Sequence, residues 1–199
     1  MGLTTHAIAR KAHIHPNQGV GVFVEANDVA EFFAALAEDH ATYPVVGSYF
    51  TLLTNAINGT ARCISLTVAG GSGTCATVVE LRGTNQFGEP VNETLTCGGG
   101  AEVLISNNAY KVLSSIKLLA EGTSSRTVAF GLPVAANESG IGLPVRIVAT
   151  SELVGVINNV GAAVTGAANV QFQTFKNTSA LTAGPMWVDF DLANVGKRP

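Results

Sequence analysis

The stretch from Cys75 to Cys97 constrains this chain more than any other. It reads as two strand-like runs, Cys75 to Arg82 and Val91 to Cys97, around the turn-rich Gly83-Thr-Asn-Gln-Phe-Gly-Glu-Pro90. Alternating runs flanking Gly, Asn and Pro predict a β-hairpin. Folded symmetrically about Gln86, Leu81 meets Val91, Val79 meets Glu93, Thr77 meets Leu95 and Cys75 meets Cys97. Successive side chains of a strand point to opposite faces, so these odd positions share one mostly apolar face. Val78, Glu80, Arg82, Asn92, Thr94 and Thr96 share a mostly polar one. A sheet with one dry and one wet face belongs to an antiparallel sandwich or barrel, and the rest of the chain is expected to pack on the dry face.

The same pattern recurs on either side of this stretch. Arg62–Val68, Glu102–Ile105, Tyr110–Leu119, Arg126–Leu132, Gly142–Val148, Val154–Ile157, Asn169–Phe175 and Met186–Leu192 are short runs that alternate or stay apolar. Val45-Val46 and Tyr49–Leu53 precede them, and turn residues such as Asn58-Gly59, Gly70-Gly-Ser-Gly73 and Gly98-Gly-Gly100 separate them. Short strands with regular turns predict an all-β fold, either an antiparallel sandwich or a jelly-roll-like barrel, over residues 43–199. Residues 1–42 read as an N-terminal extension with a short strand candidate at Gly19–Val24 and one helix over 28–40. Asp28 and Glu31 resemble a capping box, and Val29, Phe32, Phe33 and Leu36 supply an apolar side.

Composition limits the function classes. Charged residues make up 13% of the chain, about half the usual share of roughly 25%. A folded protein so poor in charge covers itself with uncharged polar groups or with other subunits, and the second reading suits a component of an assembly. Net charge is -3, and Arg10-Lys11 and Lys197-Arg198 are pairs rather than a patch, which argues against nucleic-acid binding. No apolar run reaches the roughly 18 residues of a membrane-spanning helix. The first residues lack the basic-then-apolar order of a secretory signal, so folding in the cytoplasm is expected.

Residues that suggest chemistry lack the companions that chemistry needs. Cys63, Cys75 and Cys97 form no C-x-x-C, which argues against zinc. Facing each other in the hairpin, Cys75 and Cys97 could oxidise to a disulfide outside a reducing cytosol, and the preferred reading is that these two are buried free thiols. His13 and His15 have no carboxylate or Cys nearby and read as surface histidines. The glycine run before Cys75 has no P-loop lysine. Asp189 and Asp191 share a strand face about 7 Å apart, and read as solvated charges that discourage edge pairing. No nucleophile–base pair is visible, so no enzyme activity and no cofactor are expected. Trp187 reads as a core or interface anchor; with the Asp pair beside it, a carbohydrate-binding module is a further alternative.

The order of motifs in the middle of the chain resembles a group of tailed-bacteriophage capsid cement, or decoration, proteins. The resemblance rests on Val79-Glu-Leu-Arg-Gly-Thr-Asn-Gln-Phe-Gly-Glu-Pro-Val-Asn-Glu-Thr-Leu95, Ala109-Tyr-Lys-Val-Leu-Ser-Ser-Ile116, Val128-Ala-Phe-Gly131 and Ile141-Gly-Leu-Pro-Val-Arg146, roughly residues 75–150. It implies a noncatalytic virion protein on the head exterior, often trimeric, that bridges capsomers of the major capsid protein. A tail or baseplate structural protein is the alternative within the same class. Candidate contact residues are Phe32, Phe33 and Leu36 of the expected helix, Gln86 and Phe87 at the hairpin tip, and Trp187.

Overall fold

The computed structural model describes residues 20–24, 33–37, 60–70, 77–98, 101–120, 126–133, 139–158, 161–178 and 184–190. Among them the chain is nearly all antiparallel β-sheet, as the alternation predicts. The hairpin forms from β4 (Val78–Thr84) and β5 (Pro90–Thr96). Its register places Val79 opposite Leu95, Leu81 opposite Glu93 and Gly83 opposite Val91, two residues away from symmetry about Gln86. The loop sets this register. Asn85 accepts the Phe87 and Glu89 N–H groups through Oδ1 at 2.9 and 3.0 Å, and Gly88 adopts a left-handed φ of 77°. A two-residue shift leaves the faces unchanged. Val79, Leu81, Leu95 and Cys97 are buried, while Arg82, Asn92, Thr94 and Thr96 are exposed.

That dry face completes a core. β4 is flanked by β5 and by β7 (Val112–Ala120), and this three-stranded sheet packs its apolar side on the larger sheet. The larger sheet is built around β3 (Arg62–Gly70), which pairs with β6 (Glu102–Tyr110) on one edge. Its other edge meets β8 (Arg126–Gly131) and touches β9 (Ser139–Gly142) at Arg62. Ile64, Leu66 and Val68 of β3 meet Val79, Leu81, Leu113, Ile116 and Phe130 in the first core. The β-branched and aromatic residues of these strands suit a pleated, half-buried surface. Each fully buried Leu, Ile or Phe contributes roughly 1.5–3 kcal/mol.

A second core lies where the larger sheet continues through β9, β12 (Thr174–Asn177) and β11 (Gly166–Asn169). There Ile141 and Phe175 pack with Val156, Met186, Val188 and Phe190. These last four come from a separate three-stranded sheet of β1 (Val20–Val24), β13 (Gly184–Phe190) and β10 (Leu153–Ile157). A single 3-10 turn, Thr150–Glu152, leads into β10.

Four expectations are corrected. The helix over 28–40 is not formed at Phe33–Ala37, which is strand β2, paired with β8 at the sheet edge; the rest of that span lies outside the described residues. A short, wholly apolar run carries no decisive period, and the open edge of β8 offers it ladder partners. Asn169–Phe175 is not one strand: residues 170–173 turn between β11 and β12, with Gln173 at φ 52°. Gln173 stabilises that turn by donating to Ile147 and Val170 carbonyls at 2.8 and 2.5 Å and accepting the Ile147 N–H at 2.8 Å. Gly142–Val148 is irregular beyond Gly142. Finally, Cys97 is disulfide-bonded rather than a free thiol, and its N–H donates to Thr77 O at 3.0 Å. Cys75 lies outside the described residues, as do the expected strands at 45–46 and 49–53. Cys63 is a buried free thiol, and burial pushes it up to about 12.

Candidate functional site: an uncharged face and an acid-lined cavity

From Leu153 to Val188 the sequence has one ionisable side chain, Lys176. The fold turns much of this stretch outward. Gly161, Ala162, Ala163, Thr165, Gly166 and Ala167 are exposed. Val154 is 57% exposed and Trp187 is 38% exposed. β11 is also the terminal strand of its sheet, so one of its backbone edges has no ladder partner among the described residues. Exposed strand edges without charge are normally guarded, because they template association. Here the edge strand itself carries only small, uncharged residues, Gly166, Ala167, Ala168 and Asn169.

Beside this face lies a cavity of about 880 Å³, lined by Leu153, Gly155, Val156, Ala168, Phe175 and Asp189 among others. Asp189 corrects the expectation of a solvated edge charge: it is 3% exposed. Its Oδ1 is buried and accepts no hydrogen bond from the described residues. Burial pushes the carboxyl above its ordinary value, because desolvation disfavours the ionised form. Asp191 lies outside the described residues. Gly155 stands directly opposite Asp189 in the β10–β13 ladder. A Cβ built on Gly155 would meet nothing within 4 Å, so space is open beside the acid.

The hairpin tip behaves differently from an exposed turn. Gln86 Oε1 accepts the Ala61 N–H at 2.6 Å and the Thr60 hydroxyl at 3.4 Å. The Arg146 guanidinium lies 4.2 Å from the centre of the Phe87 ring and pairs with Glu89. Asn85 first, then Arg146, holds the Glu89 carboxyl below its usual range. Both tip residues are half-buried in contacts within the chain. A second anchoring point is Glu93, whose carboxylate receives the backbone and side-chain N–H groups of both Asn107 and Asn108.

The structure does not gather the sequence-picked residues into one site. Trp187 is on the uncharged face; Gln86 and Phe87 are at the hairpin loop; Phe33 and Leu36 belong to edge strand β2; Phe32 lies outside the described residues. Sequence reasoning passed over Gly155, Glu93 and the burial of Asp189. Glu93 did carry a signal, as an acid on an otherwise dry face. Among the described residues no group of three or more His, Cys, Asp or Glu could hold a metal ion, and no helix is long and apolar enough to cross a membrane. No family model, curated protein or solved structure matches the chain.

Proposed function

We propose that this chain is a noncatalytic virion structural protein, a capsid cement or decoration protein that binds the outside of a tailed-phage head. It acts as a homotrimer that bridges neighbouring copies of the major capsid protein, after folding in the host cytoplasm. The observation that carries this reading is the charge-poor surface exposed by residues among 153–158, 161–178 and 184–188, with Val154 and Trp187 outward and the β11 edge without a ladder partner among the described residues. Interface centres are depleted of charge, as this face is, and favour an aromatic such as Trp187. A protein that binds the mature lattice and not its precursor stabilises the mature state by mass action. Weakly charged contact area serves that end without the cost of desolvating ions. The motif order in residues 75–150 supports the same reading.

In this reading Trp187 and Val154 anchor the contact, and residues 1–42, with Phe32, Phe33 and Leu36, supply a separate one, β2 being the opposite end of the larger sheet from β11. Gln86 and Phe87 hold the hairpin loop on the body and contribute at most a rim. Quantitative mass spectrometry of separated heads and tails tests the assignment. The protein is expected in the head fraction at a copy number near that of the shell protein. Scarcity there, with recovery in tails, makes it a tail or baseplate component instead. Trp187→Glu is expected to abolish head binding while leaving the circular dichroism spectrum unchanged; undiminished head binding by that variant removes this face from the proposal.

A further inference from the structure

We propose that the cavity beside β10 and β13 is a binding site for an alkylammonium group, with Asp189 as its counter-ion. This stands independently of the cement reading. The cavity walls are mostly apolar, with Leu153, Val156, Ala168 and Phe175 among them, and Thr150 and Thr165 add hydroxyls. Asp189 is the one charged residue among the described residues that line it, and no Lys, Arg or His lines it. The acid is 3% exposed and Oδ1 has no hydrogen-bond partner among the described residues. Buried polar groups in folded proteins are nearly always satisfied, so such an orphan requires an explanation. A buried carboxylate without a cation is costly, and a cation brought to it recovers much of that cost. One carboxylate among apolar walls does not make a metal site, which needs several oxygen or nitrogen ligands. It does suit a single ammonium on a hydrocarbon body.

Gly155 supplies the room. It faces Asp189 across the ladder, and the place of its missing side chain is open. Any larger residue there would project into the space the ligand needs. The ammonium has two possible sources, a free amine or a lysine side chain reaching in from another polypeptide.

The test is titration of the full-length, 15N-labelled protein with n-hexylammonium chloride, followed by amide shifts, with 1-hexanol and hexanoate as controls. Saturable shifts at Gly155 and Asp189 are expected with the ammonium and not with either control. Asp189→Asn, close to isosteric, is expected to weaken binding at least tenfold, and Gly155→Leu to block it with the remaining spectrum retained. Equal shifts with hexanol, unchanged affinity in Asp189→Asn, or no binding at all overturns the site. Head binding or self-association of Asp189→Asn identifies the source: its loss assigns the ammonium to a lysine of a partner chain, and its retention assigns it to a free amine. Failure of hexylammonium to bind refutes the cavity assignment whether or not the protein decorates heads.

Discussion

Replacing Glu93 removes a fastening between the two layers of the first core. Glu93 sits on β5, the outer strand of the small sheet, and reaches Asn107 and Asn108 on β6 of the large one. Oε1 receives the Asn107 backbone and side-chain N–H groups at 2.7 and 3.1 Å. Oε2 receives those of Asn108 at 2.9 and 3.0 Å. β6 is bulged here: its pairing with β3 shifts between Cys63 and Ser65, so the backbone N–H groups of 107 and 108 cannot all serve the ladder. Ser106 and Glu93 take over that duty, Ser106 by accepting the Ile64 N–H at 2.8 Å and donating to Asn108 O at 2.7 Å.

Hydrogen bonds to a charged group contribute about 1.5–3 kcal/mol each when buried, and less where water can substitute. Glu93 is half-buried, so Glu93→Ala is expected to cost about 2–4 kcal/mol for the four together. Glu93→Gln keeps one acceptor oxygen and turns an NH2 group toward two donors, so about half that loss follows. Urea unfolding of the three proteins, followed by far-UV circular dichroism, measures both. An alanine variant within about 0.5 kcal/mol of the parent, the usual range for uninvolved surface positions, would refute the claim that this carboxylate fastens the layers. So would a glutamine variant as stable as the parent.

Three further outcomes are expected. Gly83→Ala places a Cβ 2.0 Å from Val112 O and 2.8 Å from Tyr110 Cδ1; prying β4 from β7 costs about 3 kcal/mol or more, and a Tm within a degree of the parent would contradict it. Cys63, fully buried and with its thiol pushed up to about 12, is expected to resist iodoacetamide at pH 8 in the native protein and to react in guanidinium, with peptide mass spectrometry locating the label. Asp189 carries a pH dependence of known sign. Its folded-state carboxyl titrates above the ordinary 3.8 because of burial, so the native state holds the proton more tightly than the unfolded chain. Stability contributed by that proton is present below about 3.8 and is lost as pH rises through the raised folded-state value. Asp189→Asn is therefore expected to gain stability relative to the parent across that window and then hold a constant lead; unfolding curves that stay parallel from pH 3.5 to 7.5 would show that the acid is not buried unpaired.

Local alternation determined a good deal of this protein. Val79, Leu81 and Leu95 shared a dry face on sequence grounds, and they share it in the core, because a register error of two residues cannot move a side chain to the other side of a sheet. The all-β class followed from the same period of two. The decisions that escaped the sequence were those settled by distant partners. Phe33–Ala37 became a strand because the edge of β8 was free to pair with it. Residues 170–173 became a turn because the Gln173 amide found Ile147. Gln86 left its expected place at an exposed tip because the Ala61 N–H lay within reach. Asp189 alternates with Val188 and Phe190 as any wet-face residue would. Only the packing around β13 buries it, opposite a glycine that leaves space at its side.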